Sequence, residues 1–376
     1  MMNYITLTAF LLCNVLTCNA LKANDKTNDD QDVKHSELSD YFDKLAADVL
    51  FSGVVLVAKG NTILFEKACG MADRAQNVPN NVDTKFNLGS IGKTLTAVAV
   101  AQLVEQGKLS FDDEIKKYVD GFPDEIANKV TIKQLLTHTS GLGDIFTPDY
   151  MERKDEVETI EAFMSFVLGK PLRFEPGTQH QYSNAGFIVL GHIIEKISGE
   201  DYYDYIRKHI TEPLGMNDTG FYKKSDQTPN LARGYTYMSA SQPRSPLPPT
   251  PEGRDAMLKD NYETLPLLGN PSGGSYSTAK DMLKFSYALA SHTLLSKESA
   301  DTLMSGKVAG RMGEYGYGFE ILEQHGHRSV GHSGGAPGVN ALFRMLVDNG
   351  YTIVVLSNMD GGMRDLYEEI VKRYIP

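Results

Sequence analysis

The 376-residue chain has no tryptophan and only three cysteines. Two of these, Cys13 and Cys18, fall in an apolar N-terminal segment, so removal of that segment leaves Cys69 alone and no internal disulfide can form. Set between Ala68 and Gly70, Cys69 reads as a small buried hydrophobe rather than a nucleophile. Positive charge is also in deficit. Lys and Arg number 37 against 48 Asp and Glu, and a net charge of -11 excludes nucleic acid and anionic membrane surfaces as partners. Long hydrophobic runs are missing too. The best candidate, residues 5–20, is uncharged but shorter than the roughly 20 apolar residues a membrane-spanning helix needs. It reads as a signal peptide although no Lys or Arg precedes it, with cleavage after Cys18-Asn19-Ala20. Lipidation at Cys18 ranks lower, because Thr17 is not the Gly, Ala or Ser such sites require. The mature protein is therefore expected to be exported, periplasmic or secreted, without a transmembrane span, and residues 21–35 to be a polar linker.

What the chain does contain is enough apolar material, 41% of its residues, to bury a large core in one domain or two joined lobes. From Ser36 the pattern predicts an amphipathic helix (Leu38, Phe42, Leu45, Val49), a strand over 52–58, a turn at Lys59-Gly60-Asn61-Thr62 and a returning strand at Ile63-Leu64-Phe65. The middle of the chain reads as helices and loops, including an exposed Pro- and Ser-rich loop over 239–256. Strands return over 316–322, 341–347 and 351–356, with an Asp348-Asn349-Gly350 turn between the last two, and residues 363–375 close as a helix. The fold class is α/β (α+β). An antiparallel sheet flanked by helices is built from both chain ends (36–85 and 272–376), and a mainly helical lobe (86–271) is inserted between them.

The stretch with chemistry in it is Gly89-Ser90-Ile91-Gly92-Lys93, at the mouth of a helix marked by Leu95, Val98, Leu103 and Val104 and stopped by Gly107. Ser90 is a good N-cap type, and Lys93 lies one turn on, on the same face. A serine hydroxyl becomes a nucleophile when a neighbouring base takes its proton, and a desolvated amine serves if part of it is neutral. The helix N-terminus favours the developing oxyanion. Ser-x-x-Lys alone is weak evidence, since Ser277-Thr278-Ala279-Lys280 repeats it where Ser277 and Thr278 read as helix caps. Two further motifs follow Ser90 in order: Tyr182-x-Asn184 and His332-Ser333-Gly334.

These three motifs, with Leu135 to Leu142, Glu212-Pro213-Leu214-Gly215-Met216, Ser272-Gly273-Gly274 and Gly331 to Gly338, make the chain resemble the serine β-lactamase and penicillin-binding protein superfamily. The resemblance is to its class C-like branch, which also holds D-peptidases, D-aminopeptidases and esterases, and it spans residues 36–376. It implies a β-lactamase/transpeptidase-like fold and a hydrolase acting through acyl-Ser90 on an ester, amide or D-amino-acid peptide. In this reading Lys93 and Tyr182 are the other catalytic residues, and the Lys93 charge favours Tyr182 as phenolate, making it the base. Asn184, His332, Gly334 and Gly335 bind substrate, with Ser90 and Gly335 N–H groups as the oxyanion hole and His138 structuring its loop. The partner is a small molecule or peptide; no cofactor and no metal are implied, a cluster of His325, His327 and His332 being the weaker alternative. The third motif usually begins with lysine, and His332 in its place makes an esterase or D-peptidase a better expectation than an efficient β-lactamase. The alternative is a penicillin-binding sensor acylated without turnover.

Overall fold

Strand β1 (Gly53–Lys59) is buried along its whole length except for Lys59. Its apolar run does not alternate because both faces of the sheet are covered. Val54, Leu56 and Ala58 point into the main core, while Val55 and Val57 join a second, smaller one. The computed structural model describes residues 33–237, 247–361 and 363–375. The leader expected over 1–20 lies outside the described residues, as does all of the linker but its end. Residues 33–35 already belong to helix α1 (33–47). That helix stops before Val49, which adopts φ 54 and packs beside Tyr235, Tyr237 and Met359 instead of continuing the Leu38 and Phe42 stripe.

Gly60 (φ 57) and Asn61 close a two-residue turn between β1 and β2 (Thr62–Cys69), with Lys59 paired to Thr62. Helix α2 (Gly92–Glu105) follows the Ser90 turn and ends at Gly107, φ 68. The sequence marked one apolar stripe on it, but Ala97, Ala99, Val100 and Ala101 are buried as well, so α2 runs through the centre of the main core. Helix α3 (Asn184–Ser198) packs on α2, capped by the Ser183 hydroxyl, which accepts from Gly186 N–H, and closed by Gly199 at φ 73. The loop expected over 239–256 ends in a short helix, Pro251–Met257, because Thr250 caps it and Pro251 suits its first position; residues 238–246 lie outside the described residues. Helix α4 (Ala279–Ala290) is capped by Thr278.

Besides short two-stranded pairings elsewhere, the other strands of the main sheet are β3 (Val308–Ala309), β4 (Glu314–Tyr315), β5 (Glu320–Gln324), β6 (His327–Ala336), β7 (Val339–Leu346) and β8 (Tyr351–Ser357), before helix α5 (Met363–Tyr374). They form one antiparallel eight-stranded sheet in the order β2-β1-β8-β7-β6-β5-β4-β3. The first strand therefore pairs with the last, Gly53 against Ser357. α1 and α5 cover the outer face, and α2 and α4 lie on the inner face. Among the described residues no helix is long and apolar enough to cross a membrane.

Candidate active site

Ser90 sits in a single 3-10 turn, Gly89–Ile91, that feeds α2. It does not cap the helix as its residue type suggested. Ile91 holds the cap position with no side-chain bond, so the Ser90 hydroxyl is not committed to the backbone. The turn is pinned from two sides. Leu88 N–H donates to Ser275 O at 2.8 Å and Gly274 N–H to Gly89 O at 3.2 Å. On the other side, a Cβ on Gly334 would lie 2.0 Å from Leu88 O and 3.2 Å from Ser90 N, and one on Gly89 would lie 2.8 Å from Gly335 N. Only glycine allows β6 to approach the nucleophile turn this closely. The Ser90 and Gly335 amides are thereby brought side by side.

Lys93 is fully buried. Its Nζ lies 3.2 Å from Ser90 Oγ, 2.7 Å from Asn184 Oδ1 and 2.5 Å from Ser272 O, and 4.7 Å from the centre of the Tyr182 ring. Burial lowers its pKa to about 7, against the opposing pull of Asp144 and Glu320. The amine is therefore about half neutral at neutral pH. Tyr182 behaves the other way. The residue as a whole is 39% exposed, yet desolvation raises its phenol well above the ordinary value, only partly offset by a hydrogen bond with Ser90. The expectation of a Tyr182 phenolate held by Lys93 is thus reversed, because desolvation acts on both groups and disfavours both charges. At neutral pH part of Lys93 is thus uncharged, and Tyr182 keeps its proton.

The remaining motif residues are placed as follows. Asn184 faces the cleft, but its amide is already engaged: Nδ2 lies 3.1 and 3.0 Å from the two Asp144 oxygens while Oδ1 takes the Lys93 bond. His138, at φ 57, accepts from Ser183 N–H at 3.1 Å and stacks on Tyr182 with ring centres 4.2 Å apart, as its loop-structuring role requires. His332 is buried, and it reaches the cleft only as part of the wall of a small cavity beside Ser90. Its Nδ1–H donates to Ser333 O at 2.5 Å, leaving Nε2 to accept from Tyr315 O–H at 2.9 Å, and burial pushes its pKa down to about 4. The ring is neutral and both nitrogens are engaged. His325 and His327 lie at the far end of the same strand, at the β5–β6 turn, and the described residues contain no group of three or more His, Cys, Asp or Glu arranged for a metal.

Three residues of the site were not foreseen. Asp144 has no distinguishing neighbour in sequence. Arg344 does carry a signal, being the one charge inside the apolar strand β7; Glu320 opens β5, which also holds Glu323. Glu320 and Arg344 pair across β6 at the register of Gly331, which stands opposite Glu320 on one side and Arg344 on the other. With no side chain at Gly331, the buried Arg344 guanidinium reaches Glu320 directly. A Cβ there would also lie 1.9 Å from Phe343 O, so the glycine is what lets β6 and β7 lie this close.

Two cavities meet at Ser90. The larger, 660 Å³, holds Asn184 and apolar groups such as Phe146, Met151 and Tyr222. The smaller, 330 Å³, is walled by His332, Ser333, Glu320 and the loop Gly310–Glu314. Tyr182 and Gly335 border both.

The model of the Beta-lactamase family matches residues 38–373. A penicillin-binding protein of Bacillus subtilis is 32% identical, the match covering 87% of this chain and 72% of that protein. Esterase EstB of Burkholderia gladioli is 31% identical over 62% of this chain and 64% of its own length. The crystal structure of a penicillin-binding protein from Bacillus halodurans superposes with a TM-score of 0.78 at 31% identity, covering 92% of this chain and 99% of that one.

Proposed function

The chain belongs to the Beta-lactamase family, and on that premise we propose that Ser90, Lys93 and Tyr182 hydrolyse a neutral ester or amide through an acyl-Ser90 intermediate. A serine hydrolase of this family needs a nucleophile, a base and a proton donor, and the three residues fill these roles in the order the geometry gives them. Neutral Lys93 takes the proton of Ser90 Oγ as the oxygen attacks the carbonyl carbon. Negative charge then collects on the carbonyl oxygen, facing the Ser90 and Gly335 N–H groups. As the bond to the leaving group breaks, Tyr182 gives it a proton and takes one back from protonated Lys93, whose Nζ lies 4.7 Å from the centre of the Tyr182 ring. Water repeats the sequence on the acyl-enzyme and releases the acid. Gly334 lets the strand approach, and His332, whose ring nitrogens are both taken, orients the Ser333-to-Gly335 edge.

The observation that carries this reading is Lys93 itself: a fully buried amine 3.2 Å from the serine, with its pKa lowered to about 7. A hydrolytic base near that value is poised for neutral pH. The apolar wall of the large cavity suits a bulky apolar acyl group, and the absence of a cation at His332 favours uncharged substrates. Chromogenic esters, D-aminoacyl amides, D-Ala-D-Ala peptides and a cephalosporin, assayed on the wild type and on Ser90→Ala, test it. Sustained Ser90-dependent turnover of the esters is expected; a single burst of one equivalent per chain would instead mark an acylated sensor. The leader-like segment 1–20 supports export, which cell fractionation of the full chain checks.

A further inference from the structure

The wall of the smaller cavity has a consequence for what can leave the enzyme. In this motif region three groups could hold a carboxylate: the His332 ring, the Ser333 hydroxyl and the Ser333 amide. None is free. His332 is neutral and its two nitrogens are bonded to Tyr315 and to Ser333 O. Ser333 Oγ–H donates to Glu320 Oε1 at 2.9 Å and Ser333 N–H to Glu320 Oε2 at 3.1 Å. The donors have been turned inward onto an anion that belongs to the protein.

That anion borders the cavity. The Glu320 side chain is 18% exposed while its counter-ion Arg344 is 2% exposed, and Arg344 is absent from the cavity wall. A substrate group entering there meets the carboxylate, with the guanidinium behind it. Glu320 stays ionised, since burial, which favours its neutral form, is outweighed by the Arg344 charge and by the hydrogen bonds from Arg344 and Ser333. The only other charges on the wall are Arg311 and Glu314, both exposed and of opposite sign on one loop, where solvent screens them.

We propose that Glu320 is a specificity-determining residue that makes the smaller cavity reject leaving groups bearing a carboxylate. This rests on the reading above that Ser90 is acylated and that Tyr182, which lines this cavity beside Ser90, protonates the leaving group. The site then releases neutral alcohols or amines and discriminates against substrates whose departing half ends in a carboxylate.

The test compares kcat/KM for two esters of one acyl group, a 4-nitrophenyl and a 3-carboxy-4-nitrophenyl ester, each corrected for its hydroxide-catalysed rate. The wild type should favour the neutral ester by about tenfold, the size of a screened like-charge contact. Glu320→Gln should narrow that ratio severalfold. Because this substitution leaves Arg344 buried without its partner, Glu320→Gln with Arg344→Met is the second variant, and it should narrow the ratio likewise. A hemisuccinate ester, with its carboxylate on the acyl side, should respond much less to either variant. The proposal is overturned if the wild type shows no preference, if the ratio is unchanged in both variants, or if the carboxylated ester is favoured and Arg311→Ala abolishes that preference. Ser90-dependent turnover of the neutral ester is scored separately, so failure of the acyl-enzyme reading is distinguishable from failure of this one.

Discussion

Replacing Asp144 by Asn should move the pH at which the enzyme switches on. Asp144 and Lys93 are joined through one amide: Asp144 oxygens accept from Asn184 Nδ2 at 3.0 and 3.1 Å, and Asn184 Oδ1 accepts from Lys93 Nζ at 2.7 Å. Two such contacts across an amide separate the charges by roughly 7 Å, worth about 2 kcal/mol, or about 1.5 pH units, at an effective dielectric constant near 20. The cleft is open to water and salt, so about one unit is the expected shift. The sign follows from the chemistry. The carboxylate stabilises protonated Lys93, so removing its charge lowers the pKa, and neutral Lys93 is the form that accepts the Ser90 proton. The acid limb of kcat/KM, which reports the free enzyme, should have its midpoint at about 7 in the wild type and about one unit lower in Asp144→Asn. Asparagine keeps an acceptor for Asn184, so the local structure is retained. Initial rates on a neutral ester, measured between about pH 5 and 9 to span both midpoints, provide the profile. A limb that stays in place, or moves upward, refutes the coupling and with it the assignment of Lys93 as the base.

Ser277→Ala should lose the 2.7 Å contact with Thr219 Oγ1 and the 3.2 Å contact with Thr278 O, costing about 1 kcal/mol of stability while fluorophosphonate labelling remains. Ser90→Ala should abolish labelling in the same gel-based assay. Lys93→Ala and Tyr182→Phe should each reduce kcat by about a hundredfold or more, and the double variant by far less than the product, because the two handle one proton path. Gly334→Ala places a Cβ 2.0 Å from Leu88 O, so β6 must draw back from Ser90; kcat should fall about a hundredfold or more, with a circular-dichroism spectrum still that of the folded protein.

The order of motifs along the chain made Ser90, Lys93 and Tyr182 legible, as did the apolar runs of the central strands and the turn glycines. What composition and spacing do not contain is depth. Burial disfavours the charged forms of both Lys93 and Tyr182, and it holds the His332 ring neutral in the cavity wall with both nitrogens taken. Local residue type misled at Ser90, because a 3-10 entry turn shifted the cap to Ile91, and at Val49, where apolarity served a different cluster. The pairing of Glu320 with Arg344 depends on a register, with Gly331 between them, that only the assembled sheet reveals. Asp144 acquires its meaning solely from Asn184, which is 40 residues away in sequence.

The pairing of the first strand with the last also sets an order of assembly. During synthesis the β1–β2 hairpin emerges early, but the edge of β1 that faces Tyr351–Ser357 stays unsatisfied until nearly the whole chain has been made. Contacts at such separation close slowly, and an apolar strand with an open edge is a template for pairing with other chains while it waits. Loss of even the last few dozen residues would therefore do more than trim a terminus. It would leave Gly53–Lys59 as a permanent sticky edge and remove the support on which β7 and β6, and with them the glycines beside Ser90, are laid.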